Sequence, residues 1–291
     1  DTKHHAMAAG EESVNLDTFM ASGKHVKQLF SRYGNTSDIC VAEGVMGLFD
    51  GYDGMKGSSA EIAGLIGIPV VLVLNAKSTA YSVAPVLYGF KHFYPGIRIV
   101  GVVFNFVASE AHYAYLQQAC GDAGVEALGY LPKDDRIVIP SRHLGLSIDE
   151  SFCFDAFADR VAGVVDKTVN VDRLLELCTV DFPVYEEKMT DVSEKTRIAI
   201  ARDEAFNFMY RENIEALRRE GKVVFFSPLR DEVLPEADFL YLPGGYPELY
   251  LSELSANGKM RSAIREYCEA GGHVLAECGG SSPALRRRWI F

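Results

Sequence analysis

Short runs of consecutive apolar residues alternate along the chain with stretches in which apolar positions recur every three or four residues. The first pattern predicts strands buried on both faces, the second amphipathic helices, and their alternation predicts α/β domains built on parallel sheets. Ile68–Asn75 (IPVVLVLN) and Ile97–Phe106 (IRIVGVVFNF) are the clearest strands. Ser37–Ala42 before them predicts a strand entering a glycine-rich loop, and Ala127–Leu131 predicts a shorter one. Ser82–Phe93 predicts a helix interrupted early by Pro85. Ser109–Ala123 predicts another, with Ser109 as its N-cap and Gly124 near its end. Helical spacing returns from Asp155 to Cys178.

Thr179–Thr196 (TVDFPVYEEKMTDVSEKT) then loses all periodicity and turns acidic and polar, which marks it as a linker. The expected organisation is a first domain over residues 1–178, the linker 179–196 and a second domain over 197–291. In the second, Arg197–Ala201, Lys222–Ser227, Phe239–Leu242 and His273–Glu277 predict strands, and Met209–Glu220 and Met260–Ala270 predict helices.

Composition agrees with a two-domain globular protein: 291 residues, 48% hydrophobic and 24% charged. A formal charge of −11 speaks against nucleic acid and anionic membrane as main partners, since both attract basic surfaces. The apolar runs are too short to span a bilayer, and no secretory signal opens the chain. Six cysteines lie scattered without metal-type pairing, which predicts a reduced cytoplasmic protein whose cysteines are mostly buried small hydrophobes, Cys40 among them.

One cysteine stands apart. Leu275–Gly280 (LAECGG) runs from a strand into Cys278 and two glycines, the layout that presents a nucleophile at a sharp turn. A helix N-terminus there would favour thiolate, and Gly279 and Gly280 leave room for a substrate carbonyl. Leu242–Glu248 (LPGGYPE), at the end of the preceding predicted strand, offers Gly244 and Gly245 as backbone donors to a developing oxyanion. Two such loops at the carboxyl ends of successive strands sit where open sheets bind ligands.

Together with AIARDEAFNFMYREN (Ala199–Asn213) and VVFFSPLRDEVLP, these motifs resemble the class I glutamine amidotransferases of the cobyrinate-synthase type. The resemblance implies that Cys278 attacks the carboxamide of glutamine, that Gly244 and Gly245 hold the oxyanion, and that ammonia leaves a γ-glutamyl thioester. The family histidine that serves the thiol would lie downstream of Phe291. His273 belongs to the strand before the elbow, and His25, His92, His112 and His143 lie in the other domain.

In the first domain, Glu43–Gly51 (EGVMGLFDG) places two carboxylates in a glycine-rich loop, suited to a metal-bound phosphate or equally to a solvated turn. With NLDTFM (Asn15–Met20) and YLPKDDRIVIPSRHLGL (Tyr130–Leu146) it resembles the cobyrinate a,c-diamide synthase family. The related cobyric acid synthases lack the MGLFDG form. The resemblance implies two doubly wound α/β domains: a P-loop-type, dethiobiotin-synthetase-like domain that uses ATP and Mg²⁺, and the glutaminase domain. The expected substrates are cobyrinate or hydrogenobyrinate and glutamine, with amidation at the a and c carboxylates through an acyl phosphate; a homodimer is an open choice. Glu43 would bind Mg²⁺, and Asp50 and Asp1 would serve the carboxylate–phosphate centre. Asn105 matches the position that faces adenine, and Ser141 and Arg142 would meet substrate or nucleotide.

Gly51–Ser59 (GYDGMKGSS) is not a phosphate-binding loop, because Lys56 precedes Gly57 instead of following a glycine. The phosphate cradle is expected upstream of Asp1, so the chain reads as a fragment cut at both ends, with little synthetase activity by itself. Asn75 and Lys77 in VLNAK, and Phe106 in FNF, depart from the family pattern. Two other readings stand beside this one: a P-loop amidotransferase acting on a different carboxylate, and a non-catalytic relative that keeps the fold as a binding module.

Overall fold

The computed structural model describes residues 2–138, 141–142, 145–146, 153–181 and 196–281, with the side chains of 3, 141, 142, 145 and 146 outside the description. The chain divides into two compact units, Asp1–Glu12 with Leu16–Glu187 and Ser13–Asn15 with Lys188–Phe291.

In the first unit, helices α1 (Thr2–Ala9), α2 (Gly23–Gly34) and α3 (Ser59–Ile66) precede strand β1 (Val70–Asn75). Helix α4 (Val83–Phe93), strand β2 (Ile99–Val107), helix α5 (Glu110–Ala123) and strand β3 (Glu126–Pro132) follow. The strands form one parallel sheet in the order β1-β2-β3. Each helix starts and stops for local reasons. Ser58 accepts the Glu61 N–H ahead of α3, and Ser109 accepts the His112 N–H ahead of α5. Gly67 and Gly124 end the same helices at φ 75° and 66°, a conformation in which a side chain would be strained. Leu72, Leu87, Val102, Phe104 and Leu116 fill the space between sheet and helices. Each such side chain contributes about 1.5–3 kcal/mol by leaving water.

Three expectations need correction here. Pro85 does not interrupt α4. It occupies the first turn, where backbone N–H groups have no acceptor within the helix and a missing donor costs nothing. Ser37–Ala42 is not a strand: the segment is irregular, with Ile39 62% and Val41 91% exposed. A short apolar run becomes a strand only when a neighbour completes its ladder, and among the described residues the sheet ends at β1. Nor are the cysteines mostly buried. Cys120 is, and burial pushes its thiol up to about 11, but Cys40, Cys153 and Cys278 are exposed.

Strands β4 (Ser141–Arg142) and β5 (Gly145–Leu146) form a small antiparallel pair. The helical stretch that follows divides into α6 (Phe154–Thr168) and α7 (Val171–Cys178). At the break Val169 bridges to Gly129, the Asn170 N–H donates to the Leu128 carbonyl at 2.8 Å, and the Asn170 side chain caps α7. Gly129 must be glycine, because a Cβ there would lie 2.3 Å from the Thr168 carbonyl oxygen.

The second unit contains strand β6 (Thr196–Ala201), helix α8 (Arg211–Glu220), strands β7 (Gly221–Phe226) and β8 (Phe239–Leu242), helices α9 (Leu251–Ala256) and α10 (Gly258–Glu269), and strand β9 (His273–Ala276). All four strands are parallel, in the order β7-β6-β8-β9. The chain steps outward from β6 to β7 and then crosses back to β8, so the strand order reverses at β6. Loops at the carboxyl ends of the strands diverge at such a reversal and leave a crevice. Leu240, Leu242, Phe206, Met260 and Ile264 build the core on one side of this sheet, and Ile198, Ile200, Ile214 and Tyr241 build it on the other. Among the described residues, no helix is long and apolar enough to cross a membrane.

Candidate functional site

Three loops meet at the carboxyl edge of the second sheet. Cys278 follows β9, is exposed, and holds φ at 49°, a left-handed value that few residues with a side chain adopt. It opens a single turn of 3₁₀ helix, Cys278–Ser281, closed by the Gly280 N–H donating to the Glu277 carbonyl at 2.8 Å. The loop after β8 carries Gly244 and Gly245, both buried. Its glycines are demanded by proximity. A Cβ on Gly244 would lie 3.2 Å from the Cys278 Cβ, and one on Gly245, where φ is 153°, would lie 2.1 Å from the Ala205 carbonyl oxygen.

The elbow glycines meet the same pressure from the other side. A Cβ on Gly279 would approach the Gly245 oxygen to 2.6 Å, and one on Gly280 the Leu242 oxygen to 2.3 Å. The two Gly-Gly pairs are therefore halves of one close backbone contact, which brings the thiol and the β8 loop together. From sequence, Gly279 and Gly280 serve the sharp turn and substrate access; the loop-to-loop packing adds a further reason.

The third loop, after β6, secures the second. The Phe208 N–H donates to the Gly244 carbonyl at 3.0 Å, and the Tyr246 N–H donates to the Ala205 carbonyl at 3.0 Å. Because the peptide unit is planar and trans, a Gly244 carbonyl turned toward Phe208 sends the Gly245 N–H to the opposite side. Asp203 organises this third loop. One of its oxygens accepts from the Ala205 and Phe206 N–H groups at 2.9 and 3.1 Å, the other from the Ser227 hydroxyl and the Leu229 N–H at 2.9 Å each. Asp203 was not singled out from sequence, although an aspartate that accepts the N–H two residues further on is the usual signal of such a turn.

The acidic loop of the first unit is built differently. Glu43 and Asp50 are both exposed. Glu43 pairs with His5 of α1 at 2.7 Å, the two side chains being 51% and 44% exposed. Asp50 lies over Gly47, where a Cβ would meet its carboxylate at 2.3 Å, and its N–H closes a turn onto the Gly47 carbonyl. Gly44 makes room for Ser59, whose hydroxyl would otherwise lie 2.4 Å from a Cβ. Glu61 ties the surrounding loops together by accepting from the Gly57 N–H and from the Thr18 hydroxyl at 3.1 Å. Beside Asp50 a cavity of about 380 Å³ opens between Leu16, Asp17, Phe19, Met46 and Tyr52. NLDTFM and MGLFDG, distant in sequence, thus line one cavity.

Among the described residues, no three His, Cys, Asp or Glu side chains cluster as an enclosing metal cage. Single exposed carboxylates fit Mg²⁺, which keeps several waters and takes one or two carboxylates together with phosphate oxygens. Lys56 pairs with Asp53 at 2.8 Å within a tight turn. Asn105 pairs in register with Asn75 at the carboxyl ends of β2 and β1. Its side-chain oxygen accepts the Phe106 N–H at 2.9 Å, which supports the positive φ of 61° at Phe106. Asp1 lies outside the described residues, as do the side chains of Ser141 and Arg142, whose backbone forms β4.

Comparison with known proteins agrees with both halves of this description. Residues 197–282 match the family described as the CobB/CobQ-like glutamine amidotransferase domain. A cobyrinate a,c-diamide synthase of Caldanaerobacter subterraneus is 42% identical over 287 residues, covering 96% of this chain and 63% of the relative. Those of Salmonella typhimurium and Saccharolobus solfataricus are 39% and 36% identical, again over 96% of this chain and over 63% and 64% of their own lengths. The chain thus spans less than two thirds of the length of these curated relatives. No solved structure matches it. With 36–42% identity running through both units and an amidotransferase-domain match in the second, the chain is similar over 96% of its length to the cobyrinate a,c-diamide synthases.

Proposed function

We propose that the protein carrying this chain converts carboxylates of a corrin, cobyrinate or hydrogenobyrinate, into carboxamides, with ATP to activate the acid and glutamine to supply nitrogen. The carrying observation is the contact between Cys278, held at positive φ, and the Gly244–Gly245 loop at adjacent strand ends. A thiol beside fixed backbone donors is the arrangement that cleaves a carboxamide.

In this reading the Cys278 sulfur attacks the side-chain carbonyl of glutamine. The carbonyl oxygen gathers negative charge against the backbone N–H groups of Gly244 and Gly245. The C–N bond breaks, ammonia leaves, and water then releases glutamate from the thioester. In the first unit the corrin carboxylate takes the terminal phosphoryl group of ATP, and ADP leaves. Ammonia attacks the acyl phosphate, the C–O bond to phosphate breaks, and an amide and inorganic phosphate result. Glu43 would hold Mg²⁺, which neutralises phosphate charge when bound. Asp50 and Asp1 orient the carboxylate end of the reaction, Asn105 faces the adenine, and Ser141 and Arg142 meet nucleotide or corrin. The a and c side chains are the sites of amidation. The exposure of the Glu43 and Asp50 carboxylates supports this assignment, because a group that must meet a hydrated ion and a phosphate has to be reachable from solvent.

The test is a choice of nitrogen source. Cys278→Ala is expected to abolish glutamine-dependent amidation of cobyrinate while ammonium still serves. Undiminished use of glutamine by that variant would take Cys278 out of the chemistry. Failure of the unaltered protein to amidate cobyrinate with either source would overturn the corrin assignment.

A further inference from the structure

The residue before the thiol is held by a contact that neither the motif nor the family match assigns. Tyr241 on β8 is 1% exposed, yet it carries a hydroxyl. Its Oη donates to Glu277 Oε1 in a short hydrogen bond, and Asn213 of α8 bonds to the same phenol. Burial, and next the Glu277 carboxylate, push the Tyr241 hydroxyl well above the ordinary tyrosine range, so it remains a donor wherever an enzyme works. Glu277 is also fixed through its backbone. Its N–H donates to the Leu242 carbonyl at 3.2 Å, and its carbonyl accepts from Gly280 at 2.8 Å. Three bonds therefore converge on the residue from which the φ +49° turn at Cys278 departs. A left-handed conformation at a residue with a side chain persists only where its surroundings over-determine it.

Resting on the reading of Cys278 as the nucleophile, we infer that the Asn213–Tyr241–Glu277 chain is a positioning device, which holds the elbow so that the thiol faces the Gly244–Gly245 loop. These three residues act through Cys278 and touch neither glutamine nor ammonia. Glu277 is needed as an acceptor on a rigid strand end, and Tyr241 as a donor that cannot be displaced by water.

Tyr241→Phe, which removes the donor, and Glu277→Met, which removes the acceptor, separate this role from a structural one. Both are near-isosteric, and a thermal transition like the parent's reports that each is folded. Glutamine hydrolysis by the protein carrying the chain is expected to lose kcat by about 10–100-fold, the cost of a thiol misplaced by a fraction of an ångström to an ångström, with KM for glutamine nearly unchanged. Alkylation of Cys278 by iodoacetamide, followed by peptide mass spectrometry, should change rate in the same variants. A raised KM with unchanged kcat would overturn the inference, since it marks a substrate contact. Parental kcat and alkylation rate in both variants would overturn it too. Should Tyr241→Phe not fold, Glu277→Met decides alone, by the same two readouts. Cys278→Ala keeps the two claims apart. If it is inactive with glutamine while the positioning variants are normal, only the inference falls; if it uses glutamine normally, the nucleophile reading falls.

Discussion

The elbow of the second unit and the acidic loop of the first sit in comparable places, each tied to a parallel sheet or the helix leading into it, yet they are built to opposite standards of rigidity. At the elbow the Glu277 N–H and carbonyl and the Gly280 N–H are all engaged, Gly245, Gly279 and Gly280 allow contacts no side chain would permit, and Asp203 and Glu277 spend lone pairs on the scaffold. Around Glu43 and Asp50 the loop is pinned at its margins by Glu61 and at Gly47, while the carboxylates themselves stay exposed. The difference follows from the chemistry proposed for each. A thiol attacking a neutral amide gains its rate from donors that are already in place. A carboxylate that meets a hydrated cation and a phosphate gains from standing open to solvent.

The comparison can be broken one side at a time. The largest effect is expected from Gly245→Ala. Its Cβ would press on the Ala205 carbonyl at a φ of 153°, so the β8 loop must move. Glutamine hydrolysis should drop about 10²–10³-fold, the usual loss when an oxyanion donor is displaced, with amidation from ammonium intact. Next comes Asp50→Asn, which should lower amidation from both nitrogen sources by about 10²-fold, the low end for a group acting on the reacting centre, and spare glutamine hydrolysis. If Gly245→Ala also stopped ammonium use, or Asp50→Asn also stopped glutamine hydrolysis, the two regions would not be separate stations.

The smallest effect concerns the scaffold under the elbow. The Arg197 guanidinium grips Asp238 at 2.7 and 3.0 Å, and the Arg197 N–H adds a third bond at 2.8 Å, joining the start of β6 to that of β8. These bonds hold the Asp238 carboxyl down to about 2, below its ordinary 3.8. A depressed folded-state value means the stabilisation is full above the ordinary range and is lost as pH falls through about 2. Urea unfolding of parent and Asp238→Asn should therefore differ by a constant margin near neutrality, and the margin should close between about pH 4 and pH 2. A margin unchanged over that interval would remove the ion pair from the account.

Much of this was legible beforehand because it is written in local patterns. Apolar runs marked β1 and β2, Ser109 and Gly124 bracketed α5, and the two Gly-Gly pairs marked the loops that meet. What stayed hidden depends on partners distant in sequence. Ser37–Ala42 has a strand's apolar run but no ladder partner among the described residues. The split between α6 and α7 is dictated by Gly129 on β3, some forty residues earlier. Tyr241 reads in sequence as one more core aromatic of FLYL; only packing shows that its hydroxyl ends on the residue beside the thiol. For Asn105, the visible bond is to its own neighbour's N–H, so the turn-forming role is realised and the adenine role rests on the proposal.

The central claim is that a carboxylate is first made into an acyl phosphate and then takes nitrogen released at Cys278. Its most direct measurement uses cobyrinate with ¹⁸O in its carboxylates and glutamine with ¹⁵N in its side chain. The account predicts one ¹⁸O in inorganic phosphate for every ¹⁵N-labelled amide formed. Phosphate free of ¹⁸O, or an amide formed without ¹⁵N, would contradict it.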